Sequence, residues 1–111
     1  MQVNPYLFFE GNCEAALKFY EKVLGARIGA MLPYQSGPAG MPVPPEGKNR
    51  IMHGKISGDG EVIMTSDAPP GDFHTPQGIR VALQVENAAG AERRFKALAE
   101  GGTVKSVTRD V

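Results

Sequence analysis

The chain has 111 residues, and its twelve basic and twelve acidic residues give a formal net charge of zero. This length predicts one domain that is long enough to bury a core. The balanced charge argues against a nucleic-acid partner, and no apolar run approaches the roughly eighteen residues that a membrane span needs. A lone Cys13 excludes an intramolecular disulfide, and the N-terminus lacks a signal-peptide pattern. We therefore expect a cytoplasmic protein with neither a nucleic-acid nor a membrane partner.

The first elements of the chain predict a strand followed by a capped helix. Residues 3–10 are aromatic and branched and are apolar on both faces, which is typical of a strand covered on each side. Asn12 can cap a helix from Cys13 to Leu24, whose apolar stripe should pack onto the sheet, and Gly25 supplies the C-terminal stop.

Three more strands are expected before residue 68. Residues 26–33 read as a strand, and residues 35–48 form a Pro/Gly-rich loop that is not regular structure. That loop either closes over a ligand site, reaches a partner subunit or lies in solvent. Residues 50–57 and 61–66 then read as two strands joined by "GDG", a turn signal that predicts a hairpin.

Fewer helices and strands are predicted in the second half of the chain than in the first. A loop, "DAPPGDFHTPQ", leads to a predicted strand over residues 79–86. Asn87 begins a predicted helix that ends near Gly101, and residues 103–108 read as one more strand.

The strand and helix of the first half have a fainter copy in the second half. A shift of 76 positions aligns Leu7 with Leu83, Glu10 with Glu86, Ala15 with Ala91, Phe19 with Phe95, and Gly25 with Gly101. Two amphipathic strand–helix units share such features by chance, but the order and the single register favour a duplication.

The duplication divides the chain into two modules and a linker. Residues 1–67 form a complete βαβββ module, residues 68–77 a linker, and residues 78–111 an incomplete second module without its last strands. Either the chain is shortened, or a neighbouring chain covers the sheet edge that would otherwise be exposed.

Three segments resemble a known family: "PYLFFEGNCEAALKFYEKVLGARI", "KNRIMHGKISGDGEVIMTSD" and "GIRVALQVENAAGAERRFKALAEGG". They are similar to the PhnB-like branch of the vicinal oxygen chelate superfamily, often labelled demethylubiquinone-methyltransferase-like. The resemblance implies an α+β fold of tandem βαβββ modules with a mixed, cup-shaped sheet, usually in a homodimer. Methyl transfer is not supported by the sequence, which contains no glycine-rich donor loop after a strand.

The wider superfamily also implies a divalent metal held by His, Gln or Glu on the first, fourth, fifth and eighth strands. The corresponding positions here are Asn4 or Pro5, then Ser66 or Asp67, and Arg80, with no eighth strand. These residue types suit a divalent ion poorly, so we expect no cofactor and no metal ligands. A further segment or a partner chain would have to supply ligands for a metal site to form.

Two residues are candidates for acid–base chemistry. His53 lies in a predicted strand and Asp67 ends the strand paired with it, so they could form an acid–base pair if both face the cup. The alternatives are a buried histidine with a hydrogen-bonded ring and an aspartate that only begins a turn. The expected ligand-binding residues are Tyr6, Phe8, Met64, Ser66 and Arg80.

Cys13 lies in the first turn of the predicted helix. The helix dipole is expected to lower the pKa of its thiol there and make it oxidisable, although a small packed residue is the simpler interpretation.

The functional predictions fall into three classes. The first is a glyoxalase-like or PhnB-like module that binds a small metabolite in the cup without a superfamily-type metal site. The second is an enzyme of the superfamily, which acts on a compact polar metabolite in the cup through His53 and Asp67 or is a metal-dependent lyase, isomerase or oxygenase of the vicinal oxygen chelate type. The third is a shortened copy with no function of its own.

Overall fold

The computed structural model describes residues 1–34, 47 and 49–104. It divides the chain into two compact units, Met1–Val81 and Ala82–Val111. The predicted boundaries at residues 67 and 78 stay a prediction. In the described part of the chain, no helix is long and apolar enough to cross a membrane.

The first unit contains a four-stranded mixed sheet and one helix. The elements in chain order are β1 (Tyr6–Phe9), α1 (Cys13–Leu24), β2 (Arg27–Pro33), β3 (Ile51–Gly58) and β4 (Glu61–Asp67). The spatial order of the strands is β1-β4-β3-β2, with β1 parallel to β4 and the other neighbours antiparallel. This arrangement confirms the predicted α+β class and the βαβββ order of the first module.

Helix α1 has the bounds that its sequence predicts. Gly25 adopts a left-handed conformation with φ of 70°, and its N–H donates to the carbonyl oxygen of Glu21 at 3.1 Å. Glycine takes this conformation without the steric penalty of a Cβ atom, which explains why the helix ends there. Asn12 occupies the predicted N-cap position, but its side chain does not make the expected capping hydrogen bond.

Strands β3 and β4 form the predicted hairpin. The connection has two residues, Asp59 with φ of 50° and Gly60 with φ of 81°. Two consecutive left-handed residues match the turn that follows the natural twist of paired strands, and an Asp-Gly pair is well suited to it.

The core lies between α1 and one face of the sheet. Cys13 and Leu17 of α1 and Ile51 and Ile56 of β3 form its buried centre. Gly54 permits the close approach of α1, since a Cβ atom there would lie 2.7 Å from Cδ1 of Leu17.

No described element of this unit covers the opposite face of the sheet. Tyr6 and Phe8 of β1 are 43% and 54% exposed. The prediction of a first strand covered on both sides is therefore wrong, because α1 packs against only one face.

The second unit contains helix α2 (Ala88–Ala99) in its described residues. Asn87 caps this helix as predicted, with its Oδ1 atom accepting the N–H of Gly90 at 2.7 Å. The predicted strand over residues 79–86 is wrong, since this segment has no ladder partner among the described residues. Its alternating apolar pattern favours a strand, but a strand forms only where a neighbour pairs with it.

Two predicted segments fall largely outside the described residues. The loop at residues 35–48 is described only at residue 47, and the strand at residues 103–108 only at residues 103 and 104, which are not in a strand. The loop and the strand therefore remain predictions.

Candidate functional site on the open face of the sheet

The sheet face opposite α1 is the candidate site, and we call it the open face. Strand register and the alternation of side chains assign its members. Tyr6 pairs with Met64, Phe8 with Ser66, Leu32 with His53, and Lys55 with Met64. We define the open face by seven of the residues on this side: Tyr6, Phe8, Leu32, His53, Lys55, Met64 and Ser66.

Two aromatic rings form the exposed centre of the open face. The ring centroids of Tyr6 and Phe8 are 5.1 Å apart, and the planes are inclined by 19° in a stacked arrangement. The two residues are separated by one position on β1, so their side chains emerge on the same side of the strand. More than half of Phe8 remains exposed, which leaves an apolar surface available for contact.

His53 joins this aromatic pair through a hydrogen bond. Its Nδ1 atom lies 3.2 Å from Oη of Tyr6, and the two ring centroids are 6.0 Å apart. The strand order places β4 between β1 and β3, so this contact spans β4 and fixes both rings on the open face. Tyr6 was expected as a ligand contact, but its role as the partner of His53 was missed.

The phenol of Tyr6 is neutral at physiological pH. Partial burial raises the pKa of Tyr6 above its ordinary value of 10.0, with further increases from Tyr34 and Cys13. A neutral phenol can donate its O–H or accept an N–H, so it suits a histidine partner in either protonation state.

Asp67 is not available to pair with His53. Its side chain is buried, and Oδ1 accepts the backbone N–H groups of Gly11 at 2.8 Å and Cys13 at 3.0 Å. Oδ2 accepts the N–H of Ile51 at 2.8 Å. Asp67 therefore ties the start of α1 to the start of β3, and the structure does not bring it into a hydrogen bond with His53. A catalytic role for either residue stays a prediction.

The other residues predicted to contact a ligand differ in their position and their exposure. Met64 lies half-buried on the open face between Tyr6 and Lys55. Ser66 is buried, and its hydroxyl donates to the carbonyl oxygen of Met52 at 2.8 Å. Arg80 is exposed and lies outside any strand. The geometry therefore favours Tyr6, Phe8 and Met64 over Ser66 and Arg80 as residues that a ligand on the open face could contact.

Lys55 shares the open face with His53, as the alternation along the strand predicts, whereas Leu32 was not expected there. Leu32 is 47% exposed opposite His53, and the Lys55 side chain extends beside Gly29 of β2. The facing of Leu32 depends on the irregularity in the β2–β3 register after Ile28, which shifts the facing of the later residues of β2. Nothing in the local sequence marks that shift.

Cys13 behaves differently from the expectation of a reactive thiol. It is fully buried, and its Sγ atom donates to Oγ1 of Thr65 at 3.2 Å. Burial raises the pKa of the Cys13 thiol, and Asp67 and Glu14 add to the increase while the Thr65 hydrogen bond opposes it. The predicted lowering by the helix dipole is therefore wrong, since desolvation is the dominant effect.

The described residues do not fit a divalent metal. No group of three His, Cys, Asp or Glu side chains comes together among residues 1–34, 47 and 49–104. Asp67, the one acidic candidate, uses both oxygens to accept backbone N–H groups. Within this same part of the chain, every buried side-chain nitrogen or oxygen has a hydrogen-bond partner. None of these atoms is therefore left for an ion to bind.

The chain is similar to several known proteins. It is 28% identical to the protein YjdN of Escherichia coli strain K12 over 116 aligned positions, which cover 95% of this chain and 77% of YjdN. The crystal structure of protein PA1353 from Pseudomonas aeruginosa matches with a TM-score of 0.77 and 39% identity, over 95% of this chain and 77% of that one. The PhnB protein of Bacillus cereus shares the fold, with a TM-score of 0.69 and 20% identity over 89% of this chain and 74% of its own.

The match to a protein family extends over nearly the whole chain. Residues 2–110 fit the family description, and the βαβββ order of the first unit agrees with the resemblance that the sequence shows. The chain belongs to the glyoxalase/bleomycin resistance protein/dioxygenase superfamily.

Proposed function

We propose that the open face binds a small metabolite and forms the wall that the first module supplies to a cup-shaped binding site. The observation that carries the proposal is the exposed Tyr6–Phe8 stack held against His53. Small-molecule sites are typically apolar and aromatic, with a few fixed polar groups that orient the ligand. The open face has this composition.

The exposure of the aromatic surface supports a binding role over a structural one. Single exposed apolar residues are normal in proteins, but here Tyr6, Phe8 and Leu32 are between 43% and 54% exposed on one face. The rings of Tyr6 and Phe8 stack into one exposed aromatic surface, and exposed apolar surface of this kind marks interaction sites. A ligand that covers Phe8 would remove this surface from water and gain the associated hydrophobic free energy.

The proposal uses no metal. A metal-dependent lyase, isomerase or oxygenase needs a set of ligands around one ion, and the described residues do not supply one. His53 instead offers a hydrogen-bonding ring whose orientation Tyr6 fixes. Orientation of a bound ligand is the function that this pair supports most directly.

A screen of a mixed metabolite collection by ligand-observed NMR tests the proposal with two matched variants. Phe8→Ala removes a ring of the open face, and Phe19→Ala removes a ring on α1 that is 39% exposed. We expect binders whose affinity falls about tenfold in Phe8→Ala, because an aromatic contact and its buried area are lost, and stays unchanged in Phe19→Ala. Equal affinities for Phe8→Ala and the wild type, or no binder at all, would overturn the proposal.

A further inference from the structure

The chemical class of the ligand can be narrowed from the hydrogen bonding of His53. This step rests on the proposed function, because it takes the open face as the binding surface. Nδ1 of His53 contacts Oη of Tyr6, and Nε2 has no hydrogen-bond partner among the described residues. Nε2 is therefore the polar atom that remains to meet a ligand.

The contact with Tyr6, together with the relative strengths of the possible donors, favours a donor role for Nε2. A phenol O–H is a stronger donor than an imidazole N–H, and an unprotonated imidazole nitrogen is a strong acceptor. When Tyr6 donates to Nδ1 of neutral His53, the ring proton must be on Nε2, since the two nitrogens share one proton. If His53 is protonated, Nδ1 donates to Tyr6 and Nε2 still carries a proton. Nε2 is a donor in both states.

The surroundings of His53 favour an acceptor with a planar framework. Phe8 is the most exposed ring on the open face, at 54%, and it stacks on the ring of Tyr6. Planar conjugated groups gain most from offset contact with such rings. Lys55 is an exposed basic residue, and the seven residues that define the open face include no acidic one. A negative group is thus favoured over a positive one.

We propose that the open face takes a planar aromatic carboxylate, or a closely related conjugated oxyanion, with its ring over Phe8 and an oxygen that accepts the N–H of His53 Nε2. Tyr6 is then a positioning residue, because it acts on the ligand by holding the His53 ring and its proton. The contact between the ligand ring and Phe8 supplies affinity. The N–H of His53 Nε2 favours ligands that carry an oxygen acceptor.

Three probes separate the parts of this proposal: benzoate, cyclohexanecarboxylate and benzylammonium. Chemical-shift titrations of labelled protein are expected to show the tightest binding for benzoate, with Tyr6, Phe8 and His53 resonances moving together. Cyclohexanecarboxylate lacks the planar ring, and benzylammonium lacks the acceptor. Equal or tighter binding of either would overturn the ligand class while leaving the binding role of the open face intact. If no probe binds but metabolites from the mixed collection still depend on Phe8, the ligand class fails and the proposed function survives.

The role of Tyr6 has its own test. Tyr6→Phe removes the hydrogen bond to Nδ1, and Tyr20→Phe is the matched control because Tyr20 packs against the core instead. We expect benzoate affinity to fall about three- to tenfold in Tyr6→Phe only. In nitrogen-15 spectra, neutral His53 is expected to carry its proton on Nε2 in the wild type and in Tyr20→Phe, and to show a mixture in Tyr6→Phe. A proton on Nδ1 in the wild type would overturn the assignment of Nε2 as the donor.

Discussion

Oδ1 of Asp67 accepts the backbone N–H of Cys13 at 3.0 Å across 54 positions of the sequence. Cys13 is the first residue of α1, so Asp67 supplies from β4 an acceptor for one of the four N–H groups that have no partner within the helix. The same carboxylate accepts the N–H groups of Gly11 and Ile51. One buried side chain therefore satisfies three backbone donors around the start of α1 and β3.

The first prediction concerns that carboxylate. Asp67→Asn replaces Oδ2 with an NH₂ group that faces the N–H of Ile51, so one buried donor loses its acceptor. We expect the free energy of unfolding to fall by about 1–3 kcal/mol, measured by urea denaturation.

The matched control is Asn12→Ala, at the position where the sequence predicts the cap. Asn12 is exposed, and its Oδ1 atom accepts the N–H of Glu10 at 3.2 Å. We expect a change of less than about 0.5 kcal/mol. A larger loss in Asn12→Ala than in Asp67→Asn would contradict the assignment of Asp67 as the cap.

The second prediction concerns two glycines with different surroundings. A Cβ atom at Gly54 would collide with Oγ1 of Thr65 and lie 2.7 Å from Leu17, whereas one at Gly29 would meet nothing closer than 3.9 Å. Gly54→Ala is therefore expected to lower the free energy of unfolding by about 1–3 kcal/mol, since it forces α1 away from β3. Gly29→Ala is expected to have little effect in the same denaturation experiment. Similar values for the two variants would mean that α1 does not pack closely at Gly54.

The third prediction concerns alkaline pH. Burial raises the pKa of Cys13 above 9.0, so the folded state holds this proton more tightly than the unfolded chain. The stability that the protonated Cys13 thiol contributes is fully present below the pKa of Cys13 in the unfolded chain. It is lost as the pH rises through the pKa of Cys13 in the folded protein. We expect the free energy of unfolding to decrease above pH 9.0, by up to about 1.4 kcal/mol per pH unit from this group.

Cys13→Ala is the variant that isolates this effect. It removes the thiol and lowers stability at every pH through the lost packing, but its stability should depend less on pH in the alkaline range. The measured quantity is the slope of the free energy of unfolding against pH. An unchanged slope in Cys13→Ala would show that other groups cause the decrease.

The fourth prediction separates the fold from the site at His53. His53 is half-buried on the open face, and its side-chain contact is with Tyr6 rather than with the core. His53→Ala is expected to change the free energy of unfolding by less than about 1 kcal/mol and to keep the circular dichroism spectrum of the wild type. Ligand binding in the same sample should be weakened. Unfolding of this variant would instead identify His53 as a structural residue.

The sequence is sufficient to predict the elements that local chemistry determines. The apolar stripe between Cys13 and Leu24, with Gly25 after it, defines α1, and the Asp59-Gly60 pair defines the hairpin. Asn87 was also identified correctly as the cap of α2. In each of these cases, the determining residues lie within a few positions of the feature.

Features that depend on the spatial order of strands could not be predicted in the same way. The hydrogen bond between Tyr6 and His53 spans 47 positions and requires β4 to lie between β1 and β3. The capping of Cys13 by Asp67 likewise requires the end of β4 to meet the start of α1. The apolar alternation of residues 79–86 predicted a strand, but strand formation depends on a pairing partner that the local sequence does not reveal.

The most direct test of ligand binding at the open face uses the methyl groups of two methionines in one carbon-13 spectrum. Met64 lies on the open face beside Tyr6, and Met31 packs against the core on the side of α1. On titration with benzoate, the account predicts that the Met64 methyl signal moves and saturates while the Met31 signal stays in place. Movement of Met31 without Met64 would contradict the account, because the ligand would then be bound on the other side of the sheet.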